Sequence, residues 1–311
     1  MLNYYYSGVA SCKDDVFEKM VVESPFRLLS CHKNYVKYAE KWLSFSSNYY
    51  KDITILFDSG AFTAWNQNTE VHIDELIKLY YNLMEKYWDS SREIYLINLD
   101  KIPGSPGRTA DQKEMDECEK ISDKNYELLV KYFGNRVMPV FHQNESNKRL
   151  DEVMAMSDYI CISPRNDLPE KYRVKWSKEV HTYIPSNIKT HGLAATGIKM
   201  MTEVPWTSVD SAAWLFTAST GSVNLCINGK LIMIGVSSKS PTRHTINQHY
   251  LTVSNEVRIE IDKRFNKYGY VAEDLAEKYE LRMFLIMVET NYWLEHHHQF
   301  EIVDEGSLFG L

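Results

Sequence analysis

The sequence predicts an α/β chain: a (β/α)8 barrel, a TIM barrel, carrying a small C-terminal α+β appendage. Three observations lead there. Short runs rich in β-branched and aromatic residues alternate with helix-length stretches through the first two thirds of the chain. Eight such units fall in about 220 residues, whereas a doubly wound sheet usually stops at five or six strands. Neither a G-x-G-x-x-G nor a G-x-x-x-x-G-K-[ST] phosphate loop is present. Strict alternation of strand and helix makes the sheet parallel.

The expected strands follow in order. The first, 4–7, is a run of tyrosines closed by Ser7, and the second, 27–31, carries Leu28 and Leu29 and closes at Cys31-His32. The third, 54–58, runs Ile55-Leu56-Phe57 into Asp58-Ser59-Gly60, and the fourth, 95–100, runs Tyr95-Leu96-Ile97 and closes at Asp100. The fifth, 138–142, closes at His142-Gln143, and the sixth, 159–163, at Ser163-Pro164-Arg165. The seventh, 189–192, closes at His191-Gly192, and the eighth, 207–210, at Asp210-Ser211. Between strands three and four, Ile73, Leu76, Ile77, Tyr80, Tyr81 and Met84 recur at helical spacing and predict one apolar face. Strand ends are polar wherever strands emerge into loops. Here, though, three ends carry Asp and three carry His, the residue types a barrel mouth needs for chemistry.

After Gly221 the pattern changes, which divides the chain into an expected barrel over 1–221 and an appendage over 222–311. Residues 222–236 read as a hairpin around Asn228-Gly229, and 271–298 as one long amphipathic helix. Between 223 and 267 stand Lys230, Lys239, Arg243, Arg258, Lys263, Arg264 and Lys267, against only Glu256, Glu260 and Asp262. Within an acidic chain this stretch suits a phosphate backbone, with Lys230, Arg243, Lys263, Arg264 and Lys267 as the expected contacts, and equally suits a solvated surface.

The 311 residues are 44% apolar and 25% charged, the balance of a soluble globular protein. A formal net charge of −7 excludes holding nucleic acid by bulk charge alone. No eighteen-residue apolar window lacks a charge and the N-terminus lacks the order of a signal peptide, so a cytoplasmic protein without a membrane partner is expected. Five cysteines, Cys12, Cys31, Cys118, Cys161 and Cys226, never pair as C-x-x-C and read as reduced, mostly buried thiols. His296-His297-His298 is followed by further native-looking sequence and is not expected to be a metal site.

Asp58-Ser59-Gly60-Ala61-Phe62, Asp100, Pro139-Val140-Phe141-His142, His191-Gly192 and Ser208-Val209-Asp210-Ser211-Ala212-Ala213-Trp214 stand in this order along the chain. Together they resemble the tRNA-guanine transglycosylase superfamily, in particular its phage and bacterial branch of 7-deazaguanine DNA transglycosylase-like proteins. The resemblance spans roughly residues 1–220 and implies a (β/α)8 barrel that breaks the N-glycosidic bond of a base in a polynucleotide. It implies Asp210 as nucleophile at the sugar anomeric carbon, Asp58 as acid/base, and base recognition by Asp100, Phe62, His142, Gln143, His191 and Gly192. His142 falls on or beside the glutamine with which the tRNA enzymes read deazaguanine. Their three-Cys, one-His zinc site has no counterpart, since only Cys226 stands in that region. No metal or other cofactor is therefore expected, and the appendage differs from theirs. The chemistry suits the residues: a carboxylate stabilises an oxocarbenium-like sugar, and a second titrating group serves the leaving base. The target base must be flipped out or single-stranded.

The expected partners are DNA, including phage DNA with modified bases, and a free nucleobase as leaving group or second substrate. Excision to an abasic site, as in antiviral defence, and exchange for a 7-deazaguanine share the first half-reaction and both stay open. So does tRNA-guanine exchange proper. A metal-dependent barrel hydrolase would use His32, Asp58, Asp100, His142, His191 and Asp210, but lacks the His-x-His of the first strand and any familiar ligand spacing. A binding module on an inactive barrel would leave three strand-end carboxylates together without use.

Overall fold

Nine strands form one parallel, nearly closed, barrel-like sheet in the computed structural model, which describes residues 1–8, 14–46, 53–87, 92–105 and 107–300. The strands are β1 (Asn3–Tyr6), β2 (Phe26–Ser30), β3 (Thr54–Asp58), β4 (Glu93–Ile97), β5 (Val137–Met138), β6 (Val140–His142), β7 (Tyr159–Ser163), β8 (Lys189–Gly192) and β9 (Ser208–Ser211). Their order in the sheet is β5-β4-β3-β2-β1-β9-β8-β7-β6. The two edge strands are consecutive in the chain, separated only by Pro139. Proline has no N–H to give the ladder, so the expected fifth strand is cut in two. The Met138 carbonyl still accepts from Asn98 N at 2.9 Å, and the Pro139 carbonyl from Cys161 N at 2.8 Å, so each neighbour is served by one half of the break.

Helices follow the strands. They are α1 (Asp14–Val22), α2 (Val36–Ser46), α3 (Ala61–Gln67), α4 (Ile73–Tyr87), α5 (Gln112–Phe133), α6 (Asn147–Met156), α7 (Glu170–His181), α8 (Ile198–Glu203) and α9 (Ala213–Ser219). Local chemistry starts several of them: Asp111 accepts from Glu114 N to cap α5, and Ser146 accepts from Arg149 N to cap α6. On α4 the buried face is Leu76, Ile77, Tyr80 and Leu83, while Tyr81, expected on that face, is 57% exposed. Tyr80 wins the inward place because its hydroxyl reaches the carbonyls of Phe57 and Ile97.

Period-2 alternation in the strands produces two separate cores. Tyr5, Leu28, Leu56, Ile97, Met138, Val140, Tyr159 and Cys161 point inward and fill the sheet's interior. Their sequence neighbours, such as Tyr4, Tyr6, Leu29, Ile55, Phe57, Leu96, Phe141 and Ile160, point outward and pack beneath the helices. The interior is thus a packed core, not a channel.

The expected hairpin is present as β10 (Ser222–Ile227) and β11 (Lys230–Gly235), antiparallel, with Asn228 and Gly229 both at positive φ. The expected single helix over 271–298 is instead α11 (Ala272–Glu277) and α12 (Tyr279–His296), broken at extended Lys278 and preceded by α10 (Asn255–Lys267). Nor is α12 amphipathic. It lies between the β10–β11 hairpin on one side and α1 and α9 on the other, so even Arg282, Glu289 and Thr290 are buried. Arg282 is satisfied by carbonyls at the ends of neighbouring helices, Ala218 at 2.7 Å and Leu275 at 2.6 Å. Residues 301–311 of the expected appendage, and Cys12, lie outside the described residues. The other four cysteines are free and buried. Among the described residues no helix is long and apolar enough to cross a membrane.

Candidate active site at the carboxyl ends of the strands

Asp58 ends β3 and Asp210 is the third residue of β9, while Asp100 lies three residues beyond β4 in the loop to α5. Because parallel strands end together, these carboxylates converge on one mouth. Their proximity is felt electrostatically. Burial pushes the Asp58 carboxyl up from 3.8 to about 6, with the charge of Asp210 as the next cause and Asp100 adding to it, against the Gly60 N–H and Ser30 hydroxyl that favour its anion. Gly60 can present that N–H because its φ of 83° turns the chain sharply into α3, and its missing side chain leaves room for His32.

Asp100 Oδ2 stands 2.8 Å from His142 Nε2, with both side chains nearly buried. Burial alone would depress the imidazole's pKa, but the Asp100 partner outweighs it and the net direction is upward. The His142 backbone N–H donates to Glu145 at 2.8 Å, so loop 143–146 folds back on the strand that precedes it.

Beside this pair opens a cavity of about 360 Å³ lined by Phe62, Trp65, Ile102, His142, Gln143 and Arg165, among others. Phe62 is 49% exposed and stacks on Trp65 with ring centres 6.0 Å apart. The Gln143 side-chain oxygen accepts from Arg165 N at 2.9 Å, and the Arg165 guanidinium bonds to Asp167 and to Thr109 at 3.0 Å, tying the loop after β7 to the loop after β4. Trp65, Arg108 and Thr109 were not singled out from sequence. The signal for them was the turn-rich segment Pro103-Gly104-Ser105 shortly after Asp100, which lines the same cavity at Pro103 and Ser105 and accepts the Trp65 indole N–H at Gly104.

His191 and Gly192 sit lower. His191 is fully buried inside the sheet with its ring edge-on to Tyr5, away from the cavity. A side chain at Gly192 would strike Ala195 and Trp206, so that glycine answers to packing behind the strand. Both were expected to face a base. Strand pleat decides otherwise for the His191 side chain, which points into the interior below the mouth.

The basic stretch disperses. Arg264 is no surface cation: its guanidinium is held by buried Glu289, at 2.8 Å from Nε and 2.7 Å from Nη2, and Glu289 also accepts from Cys226 N. Exposed Lys263 pairs with Glu260. Lys267 lies over the Tyr268 and Tyr292 rings and within electrostatic reach of Glu23, just past the end of α1 and hence toward the end of the sheet away from the mouth. Lys230 and Arg243 are exposed, Lys230 at the hairpin turn and Arg243 in the segment after β11. None of the five borders the cavity.

Among the described residues no three His, Cys, Asp or Glu side chains are arranged to hold a metal ion. His32, the first ligand of the hydrolase reading, accepts the Asn34 N–H at Nδ1. No protein-family model matches the chain, and no curated protein matches it.

Proposed function

We propose that the nearly closed sheet is a (β/α)8 barrel, with 137–142 as one strand interrupted at Pro139, and that it breaks the N-glycosidic bond of a flipped-out base in DNA. One observation carries the reading. Two strand-end carboxylates share a mouth, and one of them, Asp58, is lifted to about 6, where it can hold a proton near neutral pH beside Asp210. Asp210 attacks the anomeric carbon as the bond to the base breaks, and Asp58 gives its proton to the departing base. A glycosyl ester on Asp210 results. In the second step water or an incoming base attacks that carbon, Asp58 takes up the proton released, and Asp210 is restored.

The rest of the mouth supports a base as substrate. Phe62, exposed and stacked on half-buried Trp65, offers an aromatic face, and Asp100, held through one oxygen by His142, offers its other oxygen as an acceptor for the base edge. The metal-hydrolase alternative loses support, because among the described residues no three His, Cys, Asp or Glu side chains are arranged to hold a metal ion. None of the expected backbone contacts borders the cavity and Lys267 lies toward the far end of the sheet, so Lys230, Arg243 and Lys263 are the exposed cations left for DNA. Arg264 drops out.

The test is mass spectrometry of bases released from DNAs that differ in one modified or unmodified base, run with and without a free 7-deazaguanine. Release that leaves abasic sites indicates excision, and incorporation of the added base indicates exchange. Asp210→Asn is isosteric and a poor nucleophile, so it should abolish both. Full activity in that variant overturns the mechanism.

A further inference from the structure

The mechanism above uses no residue below the mouth, yet a line of polar side chains crosses the apolar interior and stops at Asp210. Tyr159, the first residue of β7, has its hydroxyl 2.6 Å from Ser208 Oγ, and that oxygen is 2.6 Å from His191 Nδ1. The other imidazole nitrogen, Nε2, lies 3.3 Å from Asp210 Oδ1. Register assembles the line: His191 and Ser208 are paired neighbours on β8 and β9, and Ser208 and Asp210, two residues apart, face the same way. All four side chains are buried, with Ser208 and His191 wholly so.

The direction of the protons follows from the partners. Burial raises the Tyr159 hydroxyl's pKa, so it keeps its proton and can donate it to Ser208, the order that the rest of the line requires. Ser208 then donates to His191 Nδ1, and a neutral imidazole accepting there carries its own proton on Nε2. The opposite order would turn a bare Nε2 lone pair toward a carboxylate oxygen. Nε2 is nevertheless not in line for a full hydrogen bond with Oδ1 and has no other partner. A buried N–H without a partner is destabilising and calls for an explanation. Bonds of this kind are often loose in a resting site and tighten during the reaction. Asp210 Oδ1 already accepts the Ala194 N–H at 3.2 Å.

We infer that His191 is a positioning residue for Asp210: its Nε2–H, oriented by Ser208 and Tyr159, holds Oδ1 and leaves Oδ2 as the attacking oxygen. When the ester forms through Oδ2, Oδ1 becomes its carbonyl oxygen and keeps the two donors, His191 Nε2 and Ala194 N. The inference rests on the reading of Asp210 as nucleophile.

Three substitutions separate this from a structural role. His191→Gln places an amide nitrogen near the position of Nε2, His191→Asn places one near Nδ1 only, and His191→Leu fills the space with neither. The expected result is a fall in kcat of about 100-fold for the Asn and Leu variants, the usual effect of losing one such donor, with KM for DNA changed less than threefold and Gln restoring kcat to within about tenfold of the native enzyme. Nitrogen NMR of the unmodified protein should show His191 neutral with the proton on Nε2, and Asp210→Asn should move that resonance. Equal losses in all three variants, or a proton on Nδ1 in the native protein, overturn the inference, and the NMR result stands even where a variant fails to fold. Activity surviving in Asp210→Asn would sink the parent reading instead, while a Nε2–H that responds to that substitution would still tie His191 to Asp210.

Discussion

Asp58→Asn gives a direct measure of the charge crowding at the mouth. The native carboxyl is lifted from 3.8 to about 6, a gap of roughly two pH units that corresponds to about 3 kcal/mol of stability linked to its proton. The sign is that of a raised acid. Below pH 3.8 the folded and unfolded chains both carry the proton and the native protein has its full stability. Between 3.8 and 6 the unfolded chain releases the proton while the folded chain keeps it, so stability falls, and above 6 the whole amount is lost. Asparagine is isosteric and does not ionise, so relative to native protein the variant should gain about 3 kcal/mol between pH 4 and pH 8, roughly 5 °C in melting temperature for a chain of this size. Thermal unfolding of both proteins across that range, followed by circular dichroism, reads the difference directly. A difference that stays constant within about 1 °C would show that burial and Asp210 do not burden Asp58, and the acid/base role would lose its physical ground. The same ionisation requires base release by the native enzyme to decline as pH rises through about 6.

Gly60→Ala should destabilise by about 2–4 kcal/mol, since φ is 83° and the new carbon would lie 2.9 Å from His32 Cβ, and it should lower base release by displacing the N–H that Asp58 accepts; urea unfolding with near-native stability would contradict it. Arg264→Met leaves Glu289 buried without its cation and should cost about 3–5 kcal/mol in urea unfolding with DNA affinity unchanged at a permissive temperature; weakened DNA binding at intact stability would return Arg264 to the surface role expected from sequence. His142→Gln should change the ranking of released bases more than the rate on the best one, because it alters the donor facing Asp100; equal slowing of every substrate in the release assay would assign His142 to bond breaking or to folding.

Strand positions were legible because their signal is local. A run such as Ile55-Leu56-Phe57 ending in Asp58 encodes both an element buried on two faces and the point where it meets solvent, and the strand it predicts is β3. Alternation of eight such runs with helical stretches was enough for a parallel barrel-like sheet, and with it for the convergence of Asp58, Asp100 and Asp210 at one end. The Asn228-Gly229 turn is local in the same sense, since only residues tolerant of positive φ suit it.

What tertiary structure alone decided is who partners whom. Tyr81 reads onto the inner face of α4 from its spacing, but docking on β3 and β4, where the Tyr80 hydroxyl reaches the Phe57 and Ile97 carbonyls, leaves it exposed. The strip 279–296 looks one-sided in sequence, but a helix covered by a hairpin on one side and two helices on the other buries its polar residues too. Arg264 counts as a surface cation until Glu289, 25 residues away on another helix, is brought to it. His191 reads as a mouth residue from its place at a strand end, while the pleat and its pairing with Ser208 turn its side chain inward beneath Asp210. Sequence periodicity reports only how one element divides apolar from polar. Register and docking, which depend on residues far away in the chain, determine which charges meet.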